Sequence, residues 1–259
     1  MLVDSHCHVD FPELAGRIEN VLGVMRANGV DYALCAAVTL ERLPAMLDLV
    51  MKHAQFFASV GVHPDNSDGL EATVDGLLQL AKQPKVVAIG ETGLDYSRLE
   101  GDLEWQRERF RIHIRAAIEC GKPLIIHTRE AAADTLKIMR EEQAGKAGGV
   151  MHCFTETREI AEAALEMGFY ISFSGIVTFK NAILIKEVAR HVPIDRLLIE
   201  TDAPYLAPVP YRGKTNEPGF VRHVAEGIAK LRGTELETLA NATTQNFFRL
   251  FSHAQAGLP

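Results

Sequence analysis

The chain has 259 residues, is 47% hydrophobic and 24% charged, and carries a formal net charge of −7. That composition supports a large core and suits either one large α/β domain or two smaller ones. The acidic balance argues against a broad basic surface for gripping nucleic acid, but not against a local site in which metal ions supply the positive charge.

The four cysteines, Cys7, Cys35, Cys120 and Cys153, form no Cys-x-x-Cys and read as reduced thiols. Charged residues appear by Asp4, so no export signal is expected and the cytoplasm is the expected compartment. The longest uncharged run, residues 167–179, is too short and too broken to span a bilayer.

In chain order, short apolar runs alternate with segments of helical spacing. The first run, residues 2–7, is followed by Ile18, Val21, Leu22 and Met25 at i, i+3, i+4 and i+7, with Gly29 as a stop. Residues 32–38 form the second run, and Leu43, Met46, Leu47 and Val50 repeat the helical pattern. A third run at 56–62 precedes a predicted helix over 70–81. A fourth at 86–90 precedes a helix over 105–118, which Gly121 ends. Runs at 123–127, 149–154, 170–174 and 197–200 complete the strands, with helices over 131–140, 160–167 and 182–189 between them.

Continuous apolar character suits strands buried on both faces of a parallel sheet. Eight strands alternating with helices predict an α/β fold, a (β/α)8 TIM barrel. A doubly wound open sheet is the alternative, weakened by the lack of Gly-x-Gly-x-x-Gly after the first strand. After the eighth strand comes a long connection over 203–218 with Pro204, Pro208, Pro210 and Pro218, a length that points to function. Helices over 220–231 and 235–251 close the chain, the last with a Thr234–Glu237 capping box, and a frayed tail is expected from His253. With no repeat, low-complexity tract or second domain in view, residues 1–259 read as a single barrel domain.

In such barrels catalytic groups lie at the carboxyl ends of the strands. The first strand ends in Asp4-Ser5-His6-Cys7-His8. Side chains alternate along a strand, so His6 and His8 face one way and Cys7 the other, and two imidazoles one pleat apart can hold a single ion. The third strand ends in Gly61-Val62-His63-Pro64, the fourth in Gly90-Glu91-Thr92-Gly93 and the fifth in His127-Thr128-Arg129. The sixth carries His152-Cys153 and the eighth ends in Glu200-Thr201-Asp202.

His6, His8, Glu91, His127, His152 and Asp202 are therefore candidate metal ligands. One ion takes three or four protein ligands, so six point to two divalent ions. Glu91 is the candidate bridge, and Asp202 the candidate ligand and base that takes a proton from the attacking water. Taken singly, each residue has a plainer reading: a hydrogen-bonded core histidine, a helix cap at Glu91, an Asx-turn at Asp202. Their coincidence at one end of one barrel favours the metal reading.

His63 stands open between ligand, substrate contact and structure. Arg129, Arg212 and Lys214 follow strands five and eight and are candidates for holding phosphate. Cys7 and Cys153 are expected in packing, Trp105 in the core or rim, and Glu104, Arg107, Glu108, Arg109 and Arg111 on a solvated helical face. His53, His113, His191, His223 and His253 read as surface or packing residues.

Together these blocks, with Gly90-Glu91-Thr92-Gly93-Leu94-Asp95 and Glu200-Thr201-Asp202-Ala203-Pro204-Tyr205-Leu206 read in full, resemble the signature blocks of the TatD family of metal-dependent deoxyribonucleases from residue 1 to about 250. The resemblance implies an amidohydrolase-like barrel that hydrolyses DNA with Mg, Mn or Zn. It places His6, His8, Glu91 and Asp202 around one ion and Glu91, His127 and His152 around the other. Glu91 stands where many amidohydrolases carry a carboxylated lysine, which favours this branch over phosphotriesterase-like or lactonase-like relatives. Four imidazoles suit Zn or Mn better than Mg.

The expected partner is DNA, as single strands or ends, because wide duplex contact needs many cationic residues. No membrane and no obligate protein partner is implied, and a monomer is expected. One competing reading is a small-molecule ester, lactone or amide hydrolase using the same two-metal site. Another is a metal- or partner-binding protein on a retained barrel, against which an intact six-ligand set counts.

Overall fold

Eight strands pair in chain order: β1 (Leu2–Cys7), β2 (Val30–Cys35), β3 (Phe56–Val60), β4 (Val86–Asp95), β5 (Leu124–Arg129), β6 (Gly149–Met151), β7 (Tyr170–Phe173) and β8 (Leu197–Ile199). The computed structural model describes residues 1–97 and 99–257. Each neighbouring pair is parallel, as runs apolar on both faces require. Closure between β8 and β1 is made by the residues around and beyond the end of β8. Ser5 Oγ donates to Ile199 O (2.9 Å), Asp202 N–H to His6 O (3.0 Å) and His8 N–H to Ala203 O (2.8 Å). The fold is the (β/α)8 barrel that the alternation of runs predicted.

Among the described residues the helices are α1 (Pro12–Ala15), α2 (Ile18–Ala27), α3 (Leu43–Lys52), α4 (Val74–Ala81), α5 (Glu104–Cys120), α6 (Ala132–Glu141), α7 (Arg158–Glu166), α8 (Ile183–His191), α9 (Val221–Arg232) and α10 (Leu236–Leu250). Most of them bury one stripe against the outside of the sheet. In α2 that stripe is Val21, Leu22 and Met25, and in α3 it is Leu43, Met46 and Val50. A second apolar layer draws on every strand: Val3, Leu34, Phe57, Val87 with Ala88, Ile125, Val150, Tyr170 and Leu198. Phe247 and Phe251, at the end of α10, pack into that layer and plug the barrel at its amino end.

Several boundaries differ from the sequence reading. β4 does not stop at Gly90. After a register shift between Ile89 and Thr92 it runs on, pairing Thr92, Gly93, Leu94 and Asp95 with Ile126, His127, Thr128 and Arg129. Gly90 (φ 143°) and Gly93 (φ 135°) hold backbone that side chains rarely adopt, and a Cβ on Gly90 would lie 2.6 Å from Ile125 O. The glycines that read as a strand end instead let the strand bend tightly along β5. β2 and β6 end earlier than predicted, at Cys35 and Met151.

α4 begins at Val74, where Thr73 Oγ1 accepts from Gly76 N–H (3.1 Å). The Thr234–Glu237 capping box does not form. Thr234 N–H donates to Ala229 O (3.0 Å) in the turn that closes α9 at Gly233 (φ 64°), and Glu235 caps α10 without a side-chain bond. The tail from His253 is not loose up to residue 257: 252–257 form a 3₁₀ turn and Ala254 is buried, while 258 and 259 lie outside the described residues. Among the described residues, no helix is long and apolar enough to cross a membrane.

Candidate metal centre and active site

The carboxyl ends of the strands deliver the predicted histidines and acids to one point. β1 carries His6 and, just beyond it, His8. Their Nε2 atoms lie 3.2 Å apart. Asp202, just past β8, turns its Oδ1 to both, 3.6 Å from His6 and 3.4 Å from His8. It does so from a left-handed backbone (φ 57°), a conformation that Asp tolerates and that recurs at functional sites. Its turn is closed by its backbone carbonyl, which accepts from Tyr205 N–H (3.0 Å), so the Asx-turn reading fails and the carboxylate is left for the site.

Glu91 sits at the bend of β4, 2% exposed, and caps no helix. A cis peptide bond joins it to Gly90. Gly61, after β3, packs directly on that bend: a Cβ there would meet Gly90 C at 2.6 Å. The two oxygens of Glu91 face different groups. Oε2 lies 3.3 Å from His6 Nε2 and 3.8 Å from His8 Nε2. Oε1 lies 2.8 Å from His152 Nε2, 3.1 Å from His127 Nδ1 and 3.3 Å from His63 Nε2.

These spacings test whether an ion fits. Nitrogen and oxygen donors about 2.0–2.2 Å from a tetrahedral ion stand roughly 3.3–3.6 Å apart. The edges that His6 and His8 make with each other, with Glu91 Oε2 and with Asp202 Oδ1 run from 3.2 to 3.8 Å. Among the described residues, the donor sets that gather closely enough to hold an ion include His6, His152 and Asp202; His6, His8 and Glu91; and His63, Glu91 and His127. His152 Nε2 and His6 Nδ1 are buried without a hydrogen-bond partner among the described residues. For His152 the 2.8 Å approach to Glu91 is close but not aligned as a hydrogen bond, and this nitrogen faces the space shared with Glu91. The donor set fits a divalent cation.

The electrostatics agree. Burial would raise the Glu91 carboxyl, but His152, His63 and His6 hold it well below the usual carboxylate range. Asp202 is likewise pushed up by burial and brought down further by His8, His6 and His152. Burial lowers His6, aided by repulsion from His152. It would also lower His152 and His63, yet Glu91 and Glu200 push His152 well up, and Glu91 with Asp65 pushes His63 to about 10. Positive charge is thus drawn into this cluster, and metal binding would release those protons.

A cavity of about 600 Å³ opens over the cluster. His8, His63, Glu91, His127, His152 and Asp202 lie in its floor. Phe11, Ile176, Tyr205 and Leu206 line the side after β1, β7 and β8, while Asp65, Asp95 and Arg129 line the side after β3, β4 and β5. Arg129 is exposed at that rim. Arg212 does not line the cavity: its guanidinium lies over the Phe179 ring (4.4 Å), and Lys214 lies over Tyr211 (5.7 Å). Cys7 is buried in packing as expected, whereas Cys153 lines the cavity, its thiol pushed well up by burial.

Arg109 does not belong to the solvated face of α5. It is buried, pairs with Glu71, and donates to His63 O (3.1 Å) and Asn66 O (2.8 Å), bracing the loop that presents His63. Trp105 is half-buried beneath it, 4.7 Å from the guanidinium. His113 is buried and accepts from Val62 N–H (3.0 Å) on the same loop.

Two acids that sequence reasoning left without a role also stand in the site. Asp95 Oδ2 lies 3.1 Å from His127 Nε2, and Glu200 Oε1 lies 3.2 Å from His152 Nδ1. The strand period could have found Asp95, since Glu91, Gly93 and Asp95 fall on alternate positions, but only with β4 read through its glycines.

Comparison with known proteins agrees with this geometry. The family of TatD related DNases matches residues 3–252. The uncharacterized metal-dependent hydrolase YcfH of Escherichia coli K12 is 51% identical over 96% of this chain and 95% of its own. The 3'-5' ssDNA/RNA exonuclease TatD of Enterobacter lignolyticus is 32% identical over 98% and 100%. Among solved structures, the TatD homologue YJJV of Escherichia coli K12 superposes with a TM-score of 0.89 at 28% identity, covering 97% of this chain and 98% of that one. An organophosphorus hydrolase from Deinococcus radiodurans, at 15% identity and TM-score 0.67, shares the barrel alone. The chain belongs to the TatD related DNase family of metal-dependent hydrolases.

Proposed function

We propose that the chain is a two-metal phosphodiesterase that shortens single-stranded DNA from an end, with the 3′-to-5′ direction of its exonuclease relative as the expected polarity. The observation that carries this reading is Glu91, whose two oxygens face two separate groups of imidazole nitrogens. His6, His8, Glu91 and Asp202 would hold one ion, and Glu91, His127 and His152 the other. Two divalent ions there would polarise the scissile phosphate and lower the pKa of the attacking water.

The chain's own groups do the rest. Asp202 takes the proton of that water on the carboxylate oxygen turned away from the histidines. His63 Nε2 meets a phosphate oxygen from the β3 side, held in place by the Asp65 carboxylate 2.5 Å from its Nδ1. Arg129 at the rim receives a neighbouring phosphate. Phe11 and Tyr205 offer aromatic surface for a base. A cleft of about 600 Å³ with its cluster at the floor admits a single strand end more readily than a duplex.

The test is hydrolysis of a 5′-labelled single-stranded oligonucleotide with Mg, Mn and Zn side by side and Glu91→Ala as control. Stepwise shortening that vanishes in the variant is expected. An endonucleolytic ladder on covalently closed duplex would overturn the preference for ends. Turnover of esters or lactones with no cleavage of any nucleic acid would replace the reading by that of a small-molecule hydrolase.

A further inference from the structure

Each imidazole in the site has an inner nitrogen facing the centre and an outer one facing the barrel wall, and the outer nitrogens are held unequally. His8 Nδ1 donates to a backbone carbonyl, Ala36 O, at 3.0 Å. His6 Nδ1 has no hydrogen-bond partner among the described residues. The outer nitrogens of His127 and His152 instead meet buried carboxylates, Asp95 and Glu200, 1% and 0% exposed. Histidine ligands backed by a carboxylate are held in one tautomer and made more basic, and losing such backing typically weakens metal binding 10- to 100-fold.

We propose that Asp95 and Glu200 are positioning residues that commit His127 and His152 to a single ion, the second of the two in the proposed mechanism, on which this inference rests. They do so by keeping the ring proton on the outer nitrogen. His127 is thereby protonated at Nε2 and offers Nδ1, whereas His152 is protonated at Nδ1 and offers Nε2. The group around His6 and His8 has no such carboxylate pair, so the two ions respond differently when the carboxylates are removed.

The two acids are also anchored differently, which makes the inference sharp. Asp95 Oδ1 accepts from Ser97 N–H (2.9 Å) and Ser97 Oγ (2.6 Å), and its other oxygen faces His127. A backbone N–H can only donate. In Asp95→Asn the amide oxygen must therefore stay with Ser97, and the amide NH₂ must point at His127 Nε2. That forces the ring proton onto Nδ1, the nitrogen meant for the ion. Glu200 has no such constraint, because its Oε2 has no hydrogen-bond partner among the described residues. In Glu200→Gln the amide oxygen can still accept from His152 Nδ1–H, and the tautomer survives.

The experiment measures Zn bound per chain across a buffered Zn series, and the protonated nitrogen of each ring by ¹⁵N NMR of the metal-free protein. The wild type is expected to bind two ions. Asp95→Asn should keep one with unchanged affinity and weaken the other by at least tenfold, with His127 moved to the Nδ1–H form. Glu200→Gln should keep both ions within about tenfold. Asp95→Ala, which removes the anchor without forcing the proton, should fall between them and serves if the Asn variant does not fold. Equal loss of both ions, or wild-type binding in Asp95→Asn, overturns the inference. A wild-type spectrum with His127 protonated at Nδ1 overturns it whatever the stoichiometry. A wild type that binds one ion while its spectrum shows His127 protonated at Nε2 overturns the two-ion reading and leaves the positioning role supported.

Discussion

The amino ends of the eight strands meet Phe247, Phe251 and one another's apolar side chains, in a layer to which every strand contributes. The carboxyl ends of the same strands bury five histidine rings wholly or partly around Glu91 and leave two ring nitrogens without hydrogen bonds among the described residues. One end gains stability from apolar burial. The other gathers carboxylates and imidazoles, a donor set whose charge a bound cation would compensate. A few residues along one strand are enough to pass from the first regime to the second: β4 goes from Val87 in the apolar layer to Glu91 in the site.

If the two ends are that separate, changes at each should register in different measurements. The largest effect is expected at Glu91. Glu91→Gln removes the charge proposed to bridge the two ions, and hydrolysis should fall by about 10³-fold or more while far-UV circular dichroism stays native. At the opposite end, Phe247→Ala opens a cavity in a fully packed layer. It should lower unfolding stability by about 3–5 kcal/mol in a denaturant titration. Turnover per folded molecule should stay the same. A large drop in turnover at 25 °C, where the variant is folded, would mean that the plug and the site are coupled.

How much of this was legible in the sequence follows from the same division. The barrel was readable because buried parallel strands leave continuous apolar runs, and the six proposed ligands were readable because polar residues at the ends of such runs stand out. Asp95 and Glu200 were harder to see because their role is made by neighbours. Asp95 reaches His127 only because β4 continues past Gly90 and Gly93, residues that signal a break when read locally. Glu200 meets His152 across 48 positions of sequence. Arg109 read as solvated because its helix is charged throughout. Its burial comes from the Glu71 carboxylate and the two carbonyls of the loop after β3. Thr234 carried a capping signature, yet Gly233 before it draws its N–H into closing the preceding helix.

His113 tests a region between the two ends, where α5 supports the loop that carries His63. Burial holds its imidazole down at about 4, with the Arg109 charge adding to the shift and the bond to Arg109 O and the charge of Glu71 opposing it. A histidine whose folded pKa lies below its unfolded value of roughly 6.5 stabilises the fold fully above that value. The contribution is lost as pH falls from about 6.5 to 4, and it amounts to about 3 kcal/mol. Unfolding stability measured across that window should therefore drop more steeply in the wild type than in His113→Gln. Parallel curves would show that His113 is not the group being titrated.

The smallest expected effect concerns the two walls of the cavity, and it separates recognition of a base from recognition of a phosphate. Tyr205 is 54% exposed at the mouth, with the Phe11 ring edge-on to it at 6.1 Å. Phe11 itself is stacked on His8 (4.9 Å) and covered by the Arg42 guanidinium (4.3 Å), so Tyr205 offers the more accessible face. Base–aromatic stacking contributes about 1–3 kcal/mol per base. Tyr205→Ala should therefore raise KM for a single-stranded oligonucleotide by roughly 5- to 150-fold. Tyr205→Phe keeps the ring and should stay near wild type. An oligonucleotide with an abasic terminal position presents the same phosphates and no base, so its KM should hardly change in Tyr205→Ala. If the abasic and intact substrates lose affinity alike, Tyr205 shapes the cavity instead of stacking on a base, and base contact must come from elsewhere on the rim.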